Sequence, residues 1–123
     1  MQKPGRYTGG EWNEIVKEGP VACRMALCYP DTYEVGMCHL GSRILYEIAN
    51  RRADTACERA FLPWPDMQEQ LADRGLALAT LETQTPLHEL DLVGITLQYE
   101  LSYPGVVKLL ELGRVPVRAA ERD

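Results

Sequence analysis

The sequence predicts an α/β fold built on a doubly wound, mostly parallel sheet. Short apolar runs alternate along the chain with segments whose apolar residues recur at helical spacing, and a helix between two strands is the usual crossover of a parallel pair. The clearest apolar runs lack polar alternation, which is typical of strands covered on both faces. With 46% hydrophobic and 25% charged residues, the 123-residue chain has the composition of one ordinary globular domain.

The first twenty residues differ in composition from the rest. They are rich in glycine, proline and charge and predict an extended lead-in over residues 1–20, so the domain itself is expected to span residues 21–123. The lead-in is expected to lie on the domain, because Tyr7, Trp12 and Ile15 would otherwise be exposed apolar groups.

The first strand is predicted at Arg24–Tyr29, where an apolar run stops at Pro30. A helix is then predicted from His39 to Arg52. Its apolar residues share one face, which in a surface helix is the face turned to the core. These residues are Leu40, Ile44, Leu45, Ile48 and Ala49.

The later elements continue the alternation of strands and helices. They are a strand at Ala56–Leu62, a helix from Pro65 to Gly75, a strand-like piece at Leu76–Leu81, a strand at Leu92–Leu97, a helix from Ser102 to Gly113 and a strand at Val115–Val117. We expect Arg24–Tyr29 and Leu92–Leu97 to be neighbouring inner strands. Doubly wound sheets normally carry more strands after such a series, so the chain is expected to be a truncated part of a larger protein.

The charge and the apolar runs exclude several classes of protein. A net charge of −5 makes general binding to nucleic acid or to an anionic membrane unfavourable. No apolar run approaches the roughly 20 residues that span a bilayer, and the N-terminus lacks the apolar core of a signal peptide. We therefore expect a cytoplasmic protein.

The four cysteines carry no metal-binding spacing. No Cys-x-x-Cys pair occurs, so free thiols and the absence of a metal site are expected. Cys23 and Cys28 bracket an apolar run and are expected to be small buried groups.

Three chemically unusual loops follow predicted strands. Because ligands of open α/β sheets bind beyond the carboxyl ends of the strands, the segments 29–41, 63–66 and 98–103 are expected to form one binding rim. They carry aromatic rings, carboxylates and a histidine. The candidate cofactor-binding residues are Asp31, Tyr33, Gly36, His39, Gly41, Trp64, Gln98, Tyr99, Glu100 and Tyr103.

Two residue types in the first loop have alternative interpretations. Gly-rich phosphate-binding motifs are absent, yet backbone amides near Gly36 could meet an anion at a helix N-terminus. Alternatively, Gly36 and Gly41 permit turning and close packing. His39 either anchors the helix or touches a ligand. No nucleophile accompanied by a base and an orienting group is evident, so no catalytic residue is assigned.

The candidate residues of the other two loops also have two interpretations each. Trp64, stiffened by a proline on each side, is either a plug over the sheet or a platform for a flat cofactor or a partner. Tyr99 and Tyr103 either face one cavity or pack in the core. Glu100 and Asp31 either pair with basic groups of a partner or are helix caps or solvated side chains.

Several strings in the sequence resemble the N-terminal, cobalamin-binding-like domain of fused radical SAM proteins. The most specific are Phe61-Leu-Pro-Trp-Pro-Asp-Met67 and Leu97-Gln-Tyr-Glu-Leu-Ser-Tyr103. The segments that carry the resemblance are residues 3–11, 29–41, 44–46, 50–52, 58–67, 81–83 and 94–103.

The resemblance implies a Rossmann-like fold of the cobalamin-domain type and a radical SAM barrel as partner, in the same or a neighbouring polypeptide. It also implies an iron–sulfur cluster and S-adenosylmethionine in the full-length protein. The cluster motif Cys-x-x-x-Cys-x-x-Cys is absent from this chain, so no catalysis is expected from it alone. Proteins that hold cobalamin through a histidine use Asp-x-His-x-x-Gly, whereas Met37 stands here at the Asp position before His39.

Two possibilities stay open: the domain binds cobalamin without a histidine ligand, or it binds no cobalamin. Two function classes follow: a domain that holds a cofactor or docks on the barrel, and a degenerate interaction module that binds no cofactor.

Overall fold

A three-stranded parallel sheet forms the centre of the computed structural model, which describes residues 2–122. The strands are β1 (Cys23–Tyr29), β2 (Thr55–Phe61) and β3 (Leu92–Ile95), in the order β2-β1-β3. In register, Tyr29 lies opposite Phe61 and Cys28 lies opposite Ile95. The carboxyl ends of all three strands therefore meet at one edge, and the α/β class is confirmed.

Within residues 2–122, four α-helices surround this sheet. They are α1 (Tyr33–Met37), α2 (Leu40–Arg51), α3 (Pro65–Arg74) and α4 (Tyr103–Leu112), and single 3₁₀ turns lie at Pro4–Arg6, Leu87–Glu89, Glu100–Ser102 and Ala119–Glu121. The boundaries of α3 follow from its terminal residues, since Pro65 opens the helix and Gly75 ends it with a left-handed φ of 62°. The short helix α1 lies in a segment that the sequence analysis treats as a loop.

Apolar clusters lie on both faces of the sheet, as in a doubly wound, Rossmann-like fold. On one face, Leu27 and Cys57 pack against Tyr46 of α2. On the other face, Ala26, Cys28 and Ala60 pack with residues that include Leu109 of α4. Each face of the sheet is thus covered by a helix.

Helix α2 packs against the sheet with the face opposite to its predicted apolar face. Its buried residues are Ser42, Tyr46 and Asn50, whereas the apolar residues Leu40, Ile44, Leu45 and Ile48 are 48–66% exposed. Asn50 explains the inversion. Its amide donates to the Cys57 carbonyl and accepts from the Cys57 N–H, each at 2.9 Å, so it satisfies the outer edge of β2 as a neighbouring strand would.

Two predicted strands are wrong. Residues 76–81 form only an isolated bridge between Ala79 and Pro86, because their N–H groups bond to scattered partners, such as Leu78 to the Leu112 carbonyl and Leu81 to the Arg59 carbonyl.

Residues 115–117 also lie outside the sheet. Val115 donates its N–H to the Leu110 carbonyl and closes the end of α4, and Pro116 has no N–H for a sheet ladder. The strand at residue 92 is correctly predicted as a neighbour of β1, but within residues 2–122 it pairs with β1 alone and is a lateral strand rather than an inner one.

Residues 2–17 form an N-terminal strap that contacts α1, α2 and the start of β2. Arg6 pairs with Glu34 at 2.5 Å, the Ile15 N–H donates to the Tyr46 hydroxyl at 2.8 Å, and the Lys17 ammonium bonds to the Thr55 carbonyl. The strap therefore lies on the domain as expected. Trp12 is the exception, because its side chain is fully exposed.

Candidate functional site

The first two predicted loops lie in direct contact at the carboxyl-end edge of the sheet. The Leu62 N–H donates to the Asp31 carbonyl at 2.8 Å, and the rings of Tyr33 and Phe61 meet edge to face at 5.7 Å. The Trp64 indole N–H donates to Glu34 at 3.2 Å. The loops after β1 and β2 thus form one continuous surface.

The third loop lies at the same edge but on the other side of β1. The Thr96 N–H donates to the Cys28 carbonyl at 3.1 Å, and Gly105 packs so closely on the Pro30 carbonyl that a Cβ would lie 2.6 Å from its oxygen. Trp64 and Tyr99 therefore share the carboxyl-end edge but flank β1 on opposite sides. None of three well-formed cavities within residues 2–122 is lined by both.

The third loop exposes an unusual amount of apolar surface. Leu97, Tyr99, Leu101 and Tyr103 are between 50% and 81% exposed, so neither tyrosine packs in the core. Gln98 and Glu100 are exposed beside them. We call residues 97–103 the exposed loop.

His39 caps the helix α2. Its Nδ1 accepts a hydrogen bond from the Ser42 N–H at 3.1 Å and lies 2.7 Å from the Ser42 hydroxyl. The ring packs on Tyr29 with the centroids 5.0 Å apart. The neutral imidazole whose Nδ1 accepts carries its proton on Nε2. His39 therefore performs the anchoring role that the sequence analysis names as one alternative.

Three other candidate residues of the first loop have local partners. The Asp31 carboxylate accepts from the Thr32 N–H at 2.7 Å. Gly36 is buried, and a Cβ there would overlap the Phe61 ring, while a Cβ on Gly41 would lie 3.0 Å from the His39 ring. Close packing thus requires glycine at position 36, and the proposed contact of these residues with a cofactor stays a prediction.

A cavity of about 300 Å³ opens beside the carboxyl end of β2. We call it the edge cavity. Tyr33 and Trp64 of the predicted rim line it, together with Arg6 and Tyr7 of the strap and residues of β2, α3 and segment 76–86. Its walls are mainly apolar. Sequence reasoning missed this cavity because segment 76–86 has no regular pattern that places it.

An ion network borders the edge cavity. The Arg6 guanidinium lies 4.2 Å from the Trp64 ring centroid, and its hydrogen bond to Glu34 lowers the pKa of that carboxyl. Burial, reinforced by a hydrogen bond to Glu11, raises the pKa of Tyr33 to about 12. Tyr33 is thus a neutral hydroxyl at physiological pH.

A buried ion pair lies under this surface. Arg59 and Glu82 are 4% and 0% exposed, and Arg59 Nε donates to Glu82 at 2.8 Å. The guanidinium also stacks on Tyr46 at 4.2 Å and donates weakly to the Met37 sulfur. Burial raises the pKa of Glu82 more than Arg59 lowers it. In the sequence, the only sign of this pair is that Arg59 stands, next to Glu58, inside the otherwise apolar run 56–62; no pattern singles out Glu82.

The cysteines form no metal-binding group. All four thiols are free; Cys28 and Cys57 are buried, Cys38 is exposed, and Cys23 is half-buried rather than fully buried as expected. Burial raises the pKa of Cys28 and of Cys57 to about 12. Within residues 2–122, no three His, Cys, Asp or Glu side chains gather closely enough to hold a metal ion.

The fold and the carboxyl-end surface define the class of this protein: an α/β domain of the doubly wound type whose strand-end loops are rich in aromatic residues. Comparison with family models identifies the family. The model for the N-terminal region of radical SAM proteins matches residues 41–123, and the chain belongs to that family. No curated protein and no solved structure matches the sequence. Among the described residues, no helix has the length and apolar character needed to cross a membrane.

Proposed function

We propose that this chain is a docking domain that binds a radical SAM catalytic domain through its exposed loop. Family membership supports the existence of such a partner, in the same or a neighbouring polypeptide. The observation that carries the proposal is the exposure of Leu97, Tyr99, Leu101 and Tyr103 on seven consecutive residues.

Grouped exposed apolar residues can mark interaction surfaces, and this group, unlike the exposed apolar residues of α2, contains aromatic side chains. Aromatic residues, which are enriched at protein interfaces, supply half of this group. The exposed loop is anchored by Gly105 against Pro30 and by Thr96 against Cys28. Its backbone position is therefore supported by β1, and binding would require little rearrangement.

In this proposal, the iron–sulfur cluster and S-adenosylmethionine belong to the catalytic partner. The residues of this chain contribute binding and orientation. The carboxyl-end edge would face the partner, which places Trp64 and Tyr33 near the boundary between the two domains.

Cobalamin held through a histidine does not fit the residues present. Because Nδ1 of His39 accepts the Ser42 N–H, the neutral ring has no lone pair on Nε2 for cobalt. Met37 stands where the orienting aspartate would be, and its sulfur accepts from Arg59. The proposal therefore includes no histidine-bound cobalamin.

The test is the affinity between this chain and the radical SAM catalytic domain encoded with it, measured by biolayer interferometry. Leu101→Asp and Tyr103→Asp place a charge in the exposed loop, and each should lower the affinity at least about tenfold, the size of a moderate interface contribution.

The matched control is Leu40→Asp, which places the same charge on an exposed apolar residue of α2. It should bind like the unchanged protein. Equal affinity for all three variants, or a loss only for Leu40→Asp, would contradict the proposed interface.

A further inference from the structure

The edge cavity is a built pocket that the docking proposal does not use. We propose that it binds a neutral, planar, largely apolar molecule of about the size of a two-ring aromatic compound. Its volume of about 300 Å³ lies at the lower end of small-molecule pockets, which span about 300–1,000 Å³.

The shape of the pocket favours a flat ligand. Tyr33, Phe61 and Trp64 all contribute to its walls. Trp64 is held between Pro63 and Pro65, and its backbone N–H donates to the Tyr7 hydroxyl at 3.2 Å. These rings are therefore fixed before a ligand arrives, and aromatic walls prefer a stacked or edge-to-face aromatic partner.

Apolar side chains form much of the remaining wall. Leu71 and Leu78, which are 6% and 7% exposed, line the pocket together with Met67, Leu81 and the small residue Ala77. A cavity bounded in this way has few polar groups to hold water and favours an apolar occupant.

The two guanidinium groups that line the pocket are paired with carboxylates, although Arg59 Nη2 is buried without a hydrogen-bond partner. Arg6 pairs with Glu34, and Arg59 pairs with Glu82. A charged ligand would have to compete with these pairs and lose its own hydration. A neutral ring has neither cost, which is why the ligand is assigned as neutral.

The N-terminal strap forms the outer wall. Gln84 donates its amide to the Tyr7 carbonyl at 3.2 Å, and Arg6 stacks on Trp64. These contacts lie at the surface of the domain, so the strap separates the pocket from solvent on this side.

The experiment is a titration of the full chain with indole, followed by two-dimensional NMR. Saturable shifts with a dissociation constant below about 1 mM are expected. Intermolecular NOEs from indole should reach the methyl groups of Leu71 and Leu78. Benzoate, a planar anion, should bind at least tenfold more weakly.

Ala77→Phe fills the pocket and should weaken indole binding at least tenfold. The control is Ala72→Phe, an equal enlargement at an exposed position of α3 that does not line the cavity. Absence of saturable binding, or NOEs only to Leu40 and Ile44, would overturn the proposal. If Ala77→Phe fails to fold, the NOE pattern of the unchanged protein still decides the question.

Discussion

Glu82 is a carboxylate that lies fully buried in the domain. Its carboxylate has no exposed surface, and it accepts from both Nε and the backbone N–H of Arg59, at 2.8 Å and 2.7 Å. The same side chain thus neutralises a buried guanidinium and satisfies the outer edge of β2.

Glu82→Ala should lower the free energy of unfolding by about 3–5 kcal/mol, because Arg59 would stay buried without its partner. Urea unfolding measures this loss. Burial raises the folded-state pKa of Glu82, so the part of the stability that is linked to its protonation is fully present below the unfolded pKa and is lost as the pH rises through the folded value. Between the unfolded and folded pKa values of Glu82, the free energy of unfolding of the unchanged protein should therefore fall as the pH rises. Glu82→Ala should lack this decrease.

Glu47→Ala is the control for this prediction. Its pair with Arg51 lies on the exposed face of α2, and exposed pairs of this spacing contribute about 0.3–0.5 kcal/mol. A loss for Glu82→Ala as small as this would show that Arg59 finds another partner.

At the scale of elements, the buried face of helix α2 differs from the face that its apolar residues predict. Asn50→Ala should cost about 1–3 kcal/mol, because both backbone groups of Cys57 would lose their buried partner. Ile48→Ala should change stability by less than about 0.5 kcal/mol, because Ile48 is 53% exposed and alanine favours a helix. Urea unfolding of both variants measures the difference.

The two variants end in the same residue on the same helix, so helix propensity does not separate them. The amphipathic pattern alone predicts the reverse order, since truncating a buried isoleucine costs about 2–5 kcal/mol. A larger loss for Ile48→Ala would mean that the apolar stripe, not Asn50, faces the sheet.

The three strands that form the sheet were predictable because each lies in a short, mainly apolar run, although that of β2 contains Glu58 and Arg59. The predicted strands at 76–81 and 115–117 failed for a different reason. Both segments are apolar, as in strands, but their N–H groups donate to carbonyl groups of helix ends and loops. Val115, for example, donates to the Leu110 carbonyl. Such partners are set by tertiary geometry, which a local pattern does not contain.

The candidate site was predictable in position and less so in detail. Parallel strands require their exit loops to share one edge, and the loops of Asp31 and Leu62 do meet there. The division of the rim by β1 depends on the strand order β2-β1-β3, which the apolar pattern does not specify. Trp64 and Tyr99 were therefore expected in one cleft, whereas they lie on opposite sides of β1.

At the scale of the whole molecule, the N-terminal strap connects parts that are distant in sequence. Removal of residues 1–17 should lower the free energy of unfolding by about 2–6 kcal/mol, because several hydrogen bonds of roughly 0.5–1.5 kcal/mol each are lost. Urea unfolding of the shortened chain tests this. The contacts concerned include those of Ile15 with Tyr46 and of Lys17 with Thr55.

Trp12→Ala is the matching control, because the Trp12 side chain is fully exposed. It should leave the stability unchanged within about 0.5 kcal/mol. Equal stability of the shortened and the full-length chain would mean that the strap contacts do not persist in solution.

The separation and length of the strand pairings also predict the order in which parts of the domain fold. β1 pairs with β2 across 32 positions and with β3 across 67, and the first pairing joins seven residue pairs whereas the second joins four. Closing the longer loop between β1 and β3 costs about 0.6 kcal/mol more than closing the loop between β1 and β2. The β1–β3 pairing also forms fewer backbone contacts in return. Folding should therefore begin in the unit β1-α2-β2, with β3 and α4 added late, so that the exposed loop is among the last parts of the domain to take its final form.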